Sequence, residues 1–99
     1  LKLLNCGDKA ISIGETSNVE IKKINAELAK YGIATKDSSI LNLDEAILNK
    51  TDVCLAAYNK KQEFDGGFIQ AKKINCQNFL NQLEKDNLSE IIIEQNNKT

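Results

Sequence analysis

A chain of 99 residues with a formal charge of −1 makes one domain with a modest core, and offers no net field for nucleic acid or an anionic membrane. Histidine is absent and every positive charge is lysine. The commonest general base and metal ligand is therefore missing, as is the two-pronged guanidinium suited to phosphate and guanine.

Tryptophan, methionine and proline are also absent, while asparagine and lysine are abundant. A biased base composition in the coding sequence accounts for this as well as selection on function does. No apolar run reaches the roughly 18–20 residues that span a membrane. The chain opens on Leu1, which fits removal of an upstream segment such as a signal peptide. The opening LKLLNC has the outline of a lipidation motif, with Asn5 a poor fit just before Cys6.

The first fourteen residues hold two short apolar pieces, LKLL and AISI, around Cys6-Gly7-Asp8, and allow a short strand. Residues 17–31 predict a helix. Ser17 and Glu20 have capping-box spacing, Val19, Ile21, Ile24, Leu28 and Tyr31 recur at helical intervals, and Gly32 stands at the C-cap position. Residues 33–39 read as a loop. Asn42 and Glu45 repeat the capping-box spacing and open a second helix, with Leu43, Ala46 and Ile47 inward. Thr51 then caps a third, short helix over residues 52–58.

Residues 59–67 are charged and close on Asp65-Gly66-Gly67, a turn on chemistry alone. From Phe68 the pattern admits two readings. As a helix, Ile69, Cys76, Leu80 and Leu83 form a stripe interrupted by Lys72 and Lys73; as strands, residues 53–58 and 68–75 make a β-hairpin. The helix is preferred. Residues 88–94, LSEIIIE, favour a strand. One internal echo stands out, KKIN at 22–25 and again at 72–75, four residues being too few to establish a duplication.

The fold expected is thus a small, mainly α single domain over residues 1–99 with minor β content. Its core draws on Ile21, Ile24, Leu28, Leu43, Ile47, Leu55, Ile69, Leu80 and Leu83. The alternative is α+β, with a short antiparallel sheet.

Cys54 and Cys76 lie at equal distances either side of Asp65, so an antiparallel hairpin turning there brings them together. A disulfide closing that loop of about 22 residues contributes roughly 3 kcal/mol and implies an oxidising compartment. The competing reading is two buried thiols acting as small core residues. Cys6 is then unpaired. The cysteine spacings contain no Cys-x-x-Cys pair, so zinc is not expected, and a cysteine nucleophile lacks a histidine base. No cofactor fingerprint is present. Lys60, Lys61, Lys72 and Lys73 converge into a basic patch if the hairpin forms, though no aromatic residues interleave as nucleic-acid binding would ask. Three N-x-S/T sequons begin at Asn49, Asn87 and Asn97, as expected by chance among twelve asparagines.

The order T-D-x-C-L-x-x-Y followed by A-K-K-I-N-C, preceded by A-E-L-A-K-Y-G-I, resembles a short two-cysteine helical module of small bacterial envelope and phage-encoded proteins. It departs from that module in having no arginine in the second helix and no glycine before Ile74. The segment ISIGETSNVEIKKINAELAKYG is also similar in pattern to the start of small outer-membrane assembly lipoprotein domains. These likenesses carry over no activity or site residue. The function expected is a non-enzymatic interaction or structural protein, periplasmic or extracellular, of bacterial or phage origin. Its partner is another protein or a second copy of itself. The alternatives are a lysine-patch binder or inhibitor of an acidic partner, and a cytoplasmic protein with three free thiols.

Overall fold

The computed structural model describes residues 2–59 and 64–98. Every regular element among them is a strand: β1 (Lys2–Ile13), β2 (Asn18–Lys36), β3 (Ile40–Tyr58), β4 (Phe68–Gln77), β5 (Asn81–Lys85) and β6 (Glu90–Lys98). All the pairings are parallel. The expected mainly α fold is therefore corrected, and so is the antiparallel alternative. No helix among the described residues is long and apolar enough to cross a membrane.

Strand length dictates the architecture. A straight strand of 19 residues runs about 60 Å at ~3.3 Å per residue, yet the longest dimension of the molecule is 35 Å. β2 and β3, each of 19 residues, must fold back on themselves. They do so at Leu28 and Lys50, whose φ values of 61° and 56° lie in the left-handed region. Asn78 (φ 53°) turns the chain at the same corner one level on, between β4 and β5, and Gly7 (φ 72°) turns it within β1. Thr16, Asp37 and Ser38, also at positive φ, mark the opposite corner.

The result is a coil in which each turn stacks on the one before. Asn18 lies beside Ile40 and Phe68 beside Glu90, both steps of 22 residues. Ile40 lies beside Phe68, a step of 28. One turn therefore carries six extra residues, accommodated where the chain runs from Asn59 to Gly67. This is a parallel β-solenoid with two walls. The first wall stacks residues 18–27, 40–49, 68–77 and 90–98; the second stacks residues 7–13, 29–36, 51–58 and 81–85.

Apolar columns run along the solenoid axis. Val19, Leu41, Ile69 and Ile91 form one, and Ile21, Leu43, Ala71 and Ile93 another. From the second wall, Ile11, Ile33, Leu55 and Leu83 supply a third. Residues from both walls join in one interior cluster, which closes the coil. Of the expected core, Ile24, Leu43, Leu55 and Ile69 are buried, Ile21 and Ile47 are half-buried, and Leu28, Leu80 and Leu83 are exposed. Leu28 is exposed because it occupies the corner.

The helix signals have other causes. The Ser17 amide donates to Ser39 Oγ on the next turn, and its hydroxyl donates to the Glu15 carbonyl, so Ser17 and Glu20 make no capping box. Gly32 is no C-cap. A Cβ there would stand 2.6 Å from the Cys54 carbonyl oxygen and 3.1 Å from the Leu48 methyls, so this position admits no side chain. Gly67 is similarly excluded from carrying one by the backbone carbonyl of Thr35.

Candidate functional site

On the first wall, inward side chains alternate with outward ones until the middle of the strand, where two consecutive residues face out. These pairs are Lys22-Lys23, Asp44-Glu45, Lys72-Lys73 and Glu94-Gln95, exposed apart from the half-buried Glu45. The register sets Lys23 beside Glu45 and Glu45 beside Lys73. At the same offsets Lys22, Asp44, Lys72 and Glu94 line up, a column of alternating sign.

The side chains follow that order. Glu45 receives Lys23 at 3.7 Å on one carboxylate oxygen and Lys73 at 3.8 Å on the other. Lys72 reaches Asp44 at 3.5 Å, and Lys50 reaches Glu27 at 3.9 Å near the corner. Each exposed pair is worth at most about 1 kcal/mol, so the columns set charge pattern more than stability. Beside them Glu20, Ile21, Lys22, Asn42, Asp44 and Lys72 line a shallow open depression of about 450 Å³.

Of the four lysines expected to form a basic patch, Lys72 and Lys73 stand on this face, each against a carboxylate. Lys60 and Lys61 lie outside the described residues. No set of three side chains able to ligate a metal comes together among the described residues.

Cys54 and Cys76 are joined, with 6.4 Å between their Cα atoms. The reason differs from the hairpin expected. β3 and β4 are parallel, and no chain reversal at Asp65 brings the cysteines together. Cys54 sits on the second wall and Cys76 on the first, one turn later, and the bond crosses the interior between walls. Cys54 Sγ also lies 3.2 Å from the buried Thr51 hydroxyl. Cys6 falls within β1, and its side chain lies outside the described residues.

The second wall carries a different outer face. Ala34, Val53 and Ala56 form a separate apolar cluster, with Tyr31 and Tyr58 packed against it. Lys9 lies 5.5 Å from the centre of the Tyr31 ring, and Lys30 lies 5.9 Å from it. The hydrogen bond from Lys9 holds the Asp8 carboxyl below its ordinary value, and the same bond raises Lys9.

The corner that carries the extra residues is held by polar side chains. Asp86 accepts from the Asn59 amide at 2.5 Å and from the Leu88 amide at 3.2 Å. Asn59 Nδ2 donates to the carbonyls of Phe64 and Asp65, and Ser38 exchanges two hydrogen bonds with the Asp65 backbone. A serine step runs along this corner. Ser39 Oγ accepts from Ser17 N, and two turns on Ser89 Oγ accepts from Gly67 N.

Sequence reasoning missed the charge columns because they join residues 22 and 28 apart. The KKIN echo was their one visible trace: Lys23 and Lys73 flank Glu45 on consecutive turns. No family model, no curated protein and no solved structure matches this chain.

Proposed function

We propose that this chain is a non-catalytic β-solenoid module that works through protein contacts made by its first wall. The observation that carries the reading is the ordered face itself. Lysine and carboxylate alternate along the axis over successive turns, about 4.8 Å apart, beside an open depression. Charge laid out in such order confers register and partner choice more than raw affinity. The second wall carries only a shorter run of that kind, Asp8, Lys30 and Asp52, and the rest of its outer face is largely alanine and valine under tyrosine. An exported location belongs to the same proposal, since a buried disulfide between walls suits an oxidising compartment. A lysine patch for an acidic partner has less support, because Lys72 and Lys73 each face a carboxylate.

The test is site-specific photocrosslinking in the cells that make the protein. A photoreactive residue is placed at Glu20, Asn42 or Gln70 on the first wall, and at Lys30 or Asp52 on the second. Discrete protein adducts at the first three positions and none at the last two are expected. Equal crosslinking from both walls, or none from the first, refutes the reading.

A further inference from the structure

We propose that the two ends of the solenoid bind one another, so that a second copy of this chain stacks head to tail on the first. This goes beyond the reading of the first wall as a contact surface, and adds a contact made by the two ends of the coil.

Among the described residues nothing pairs with the outer edge of β6 or of β5, nor with the outer edge of β1 or the start of β2. Such edges present unpaired backbone groups and template another strand. Both ends have the same stepped outline. At one end the first wall finishes on β6, a turn above the second wall's β5. At the other the second wall begins on β1, with the first wall's residues 18–24 uncovered beneath no strand. A copy placed one turn on sets its β2 over β6 and its β1 over β5, continuing the parallel ladder.

The side-chain columns continue across that junction. Val19 of the copy falls over Ile91, Ile21 over Ile93, and Ile11 over Leu83. The same columns are closed in the middle of the molecule, where Leu41, Ile69, Ile33 and Leu55 are wholly buried, and open at the ends, where Leu83 is 41% exposed. Charge agrees. The outward column Lys22, Asp44, Lys72, Glu94 begins positive and ends negative, so Lys22 of the copy meets Glu94 and the alternation is unbroken. At the junction Lys2 to Leu4 of the copy fall at the level of Asn97 and Lys98, so one of these short ends gives way. A head-to-tail contact of this kind does not close, and it builds linear oligomers.

The experiment is sedimentation velocity on the purified, oxidised chain over a wide concentration range, with circular dichroism to confirm that each variant folds. Wild type is expected to shift from monomer to longer species as concentration rises. Glu94→Lys and Lys22→Glu each set like charges across the junction and weaken association roughly tenfold. Mixing the two variants restores it, because each new end then meets its opposite. A chain ending at Asn96 associates more tightly than the full chain. A strict monomer at every concentration overturns the proposal. So does a Lys22→Glu chain that associates like wild type, the outcome for a two-fold dimer through β6 alone. First-wall adducts to a different protein, with a monomeric purified chain, would remove this inference and leave the functional reading standing.

Discussion

The two walls of the solenoid share a backbone plan and differ in what they do with their outer faces. On the first wall, apolar residues point in and paired charges point out, so the outer face belongs to solvent. On the second, residues 32–35 and 53–57 are buried without interruption. Cys54, Leu55 and Ala57 belong to the interior cluster, while Val53 and Ala56 form an outer one beneath Tyr31 and Tyr58. One wall is a surface with a core behind it; the other buries part of its outer face as well. Small residues make the second arrangement possible, since Gly32, Ala34 and Ala56 leave room for a close neighbour.

The largest test of the comparison removes the bond that ties the walls together. Replacing both Cys54 and Cys76 by alanine should cost roughly 2–5 kcal/mol in urea denaturation, and reduction of the wild type should cost a similar amount. The folded variants should keep a strand spectrum, because the ladders do not depend on the bond. A loss of strand content would mean that the walls are held by the disulfide alone. Next, Ala56→Lys places a charge at a position 1% exposed, beneath two tyrosines. Displacing that cover should cost about 1–3 kcal/mol. The matching change on the first wall, Gln70→Lys, should stay within about 0.5 kcal/mol. Equal effects would erase the distinction between the walls.

The same comparison explains what the sequence disclosed. The apolar positions were readable as apolar, and Ile24, Leu43, Leu55 and Ile69 fell in the core as expected. Their period was not readable. Two consecutive outward residues on the first wall, Lys22 and Lys23, turn a two-residue alternation into the interval from Ile21 to Ile24. Leu28 at the corner and Tyr31 beyond it then complete a run that mimics a helix. Left-handed corners at Leu28 and Lys50 gave no glycine signal. The repeat was hidden because one turn is six residues longer than its neighbours, and because the columns share only apolar character. The cysteine pair was legible as a pair for the wrong reason, a hairpin where the chain makes a coil. The outer charge columns had no local signature, since each contact joins residues on different turns.

Asp86 sharpens the contrast between the wall faces and the corner that ends the second wall. Burial raises its carboxyl, but the Asn59 amide, the Ser89 hydroxyl and the Leu88 and Ser89 amides together hold it below the ordinary value. A carboxyl depressed in the folded state contributes stability above its unfolded value near 3.8, and that contribution is lost as pH falls through the folded value. Asp86→Asn should therefore cost about 1 kcal/mol at neutral pH, the scale of a partly exposed charged hydrogen bond. The difference from wild type should shrink below about pH 4. Urea titrations at neutral and acid pH measure it. A gap that persists at acid pH would show that the cost lies in packing rather than in charge.

The smallest effect expected concerns the corner shared by both walls. Lys50 holds φ at 56° between the charged first wall and the buried second. A left-handed conformation costs a residue with a Cβ about 1–2 kcal/mol. Glycine removes that cost and returns about 0.5–1 kcal/mol of it as extra chain entropy in the unfolded state. Lys50 also gives up its contact with Glu27 at 3.9 Å, an exposed pair worth little. Lys50→Gly should thus be stabilising by about 0.5 kcal/mol, whereas Lys50→Val, with a branched Cβ in the same conformation, should be destabilising. The sign of the pair is the measurement. If glycine destabilises and valine does not, the corner is extended rather than left-handed. The chain could then not turn from one wall to the other at this residue, and the two walls would not be successive halves of one turn.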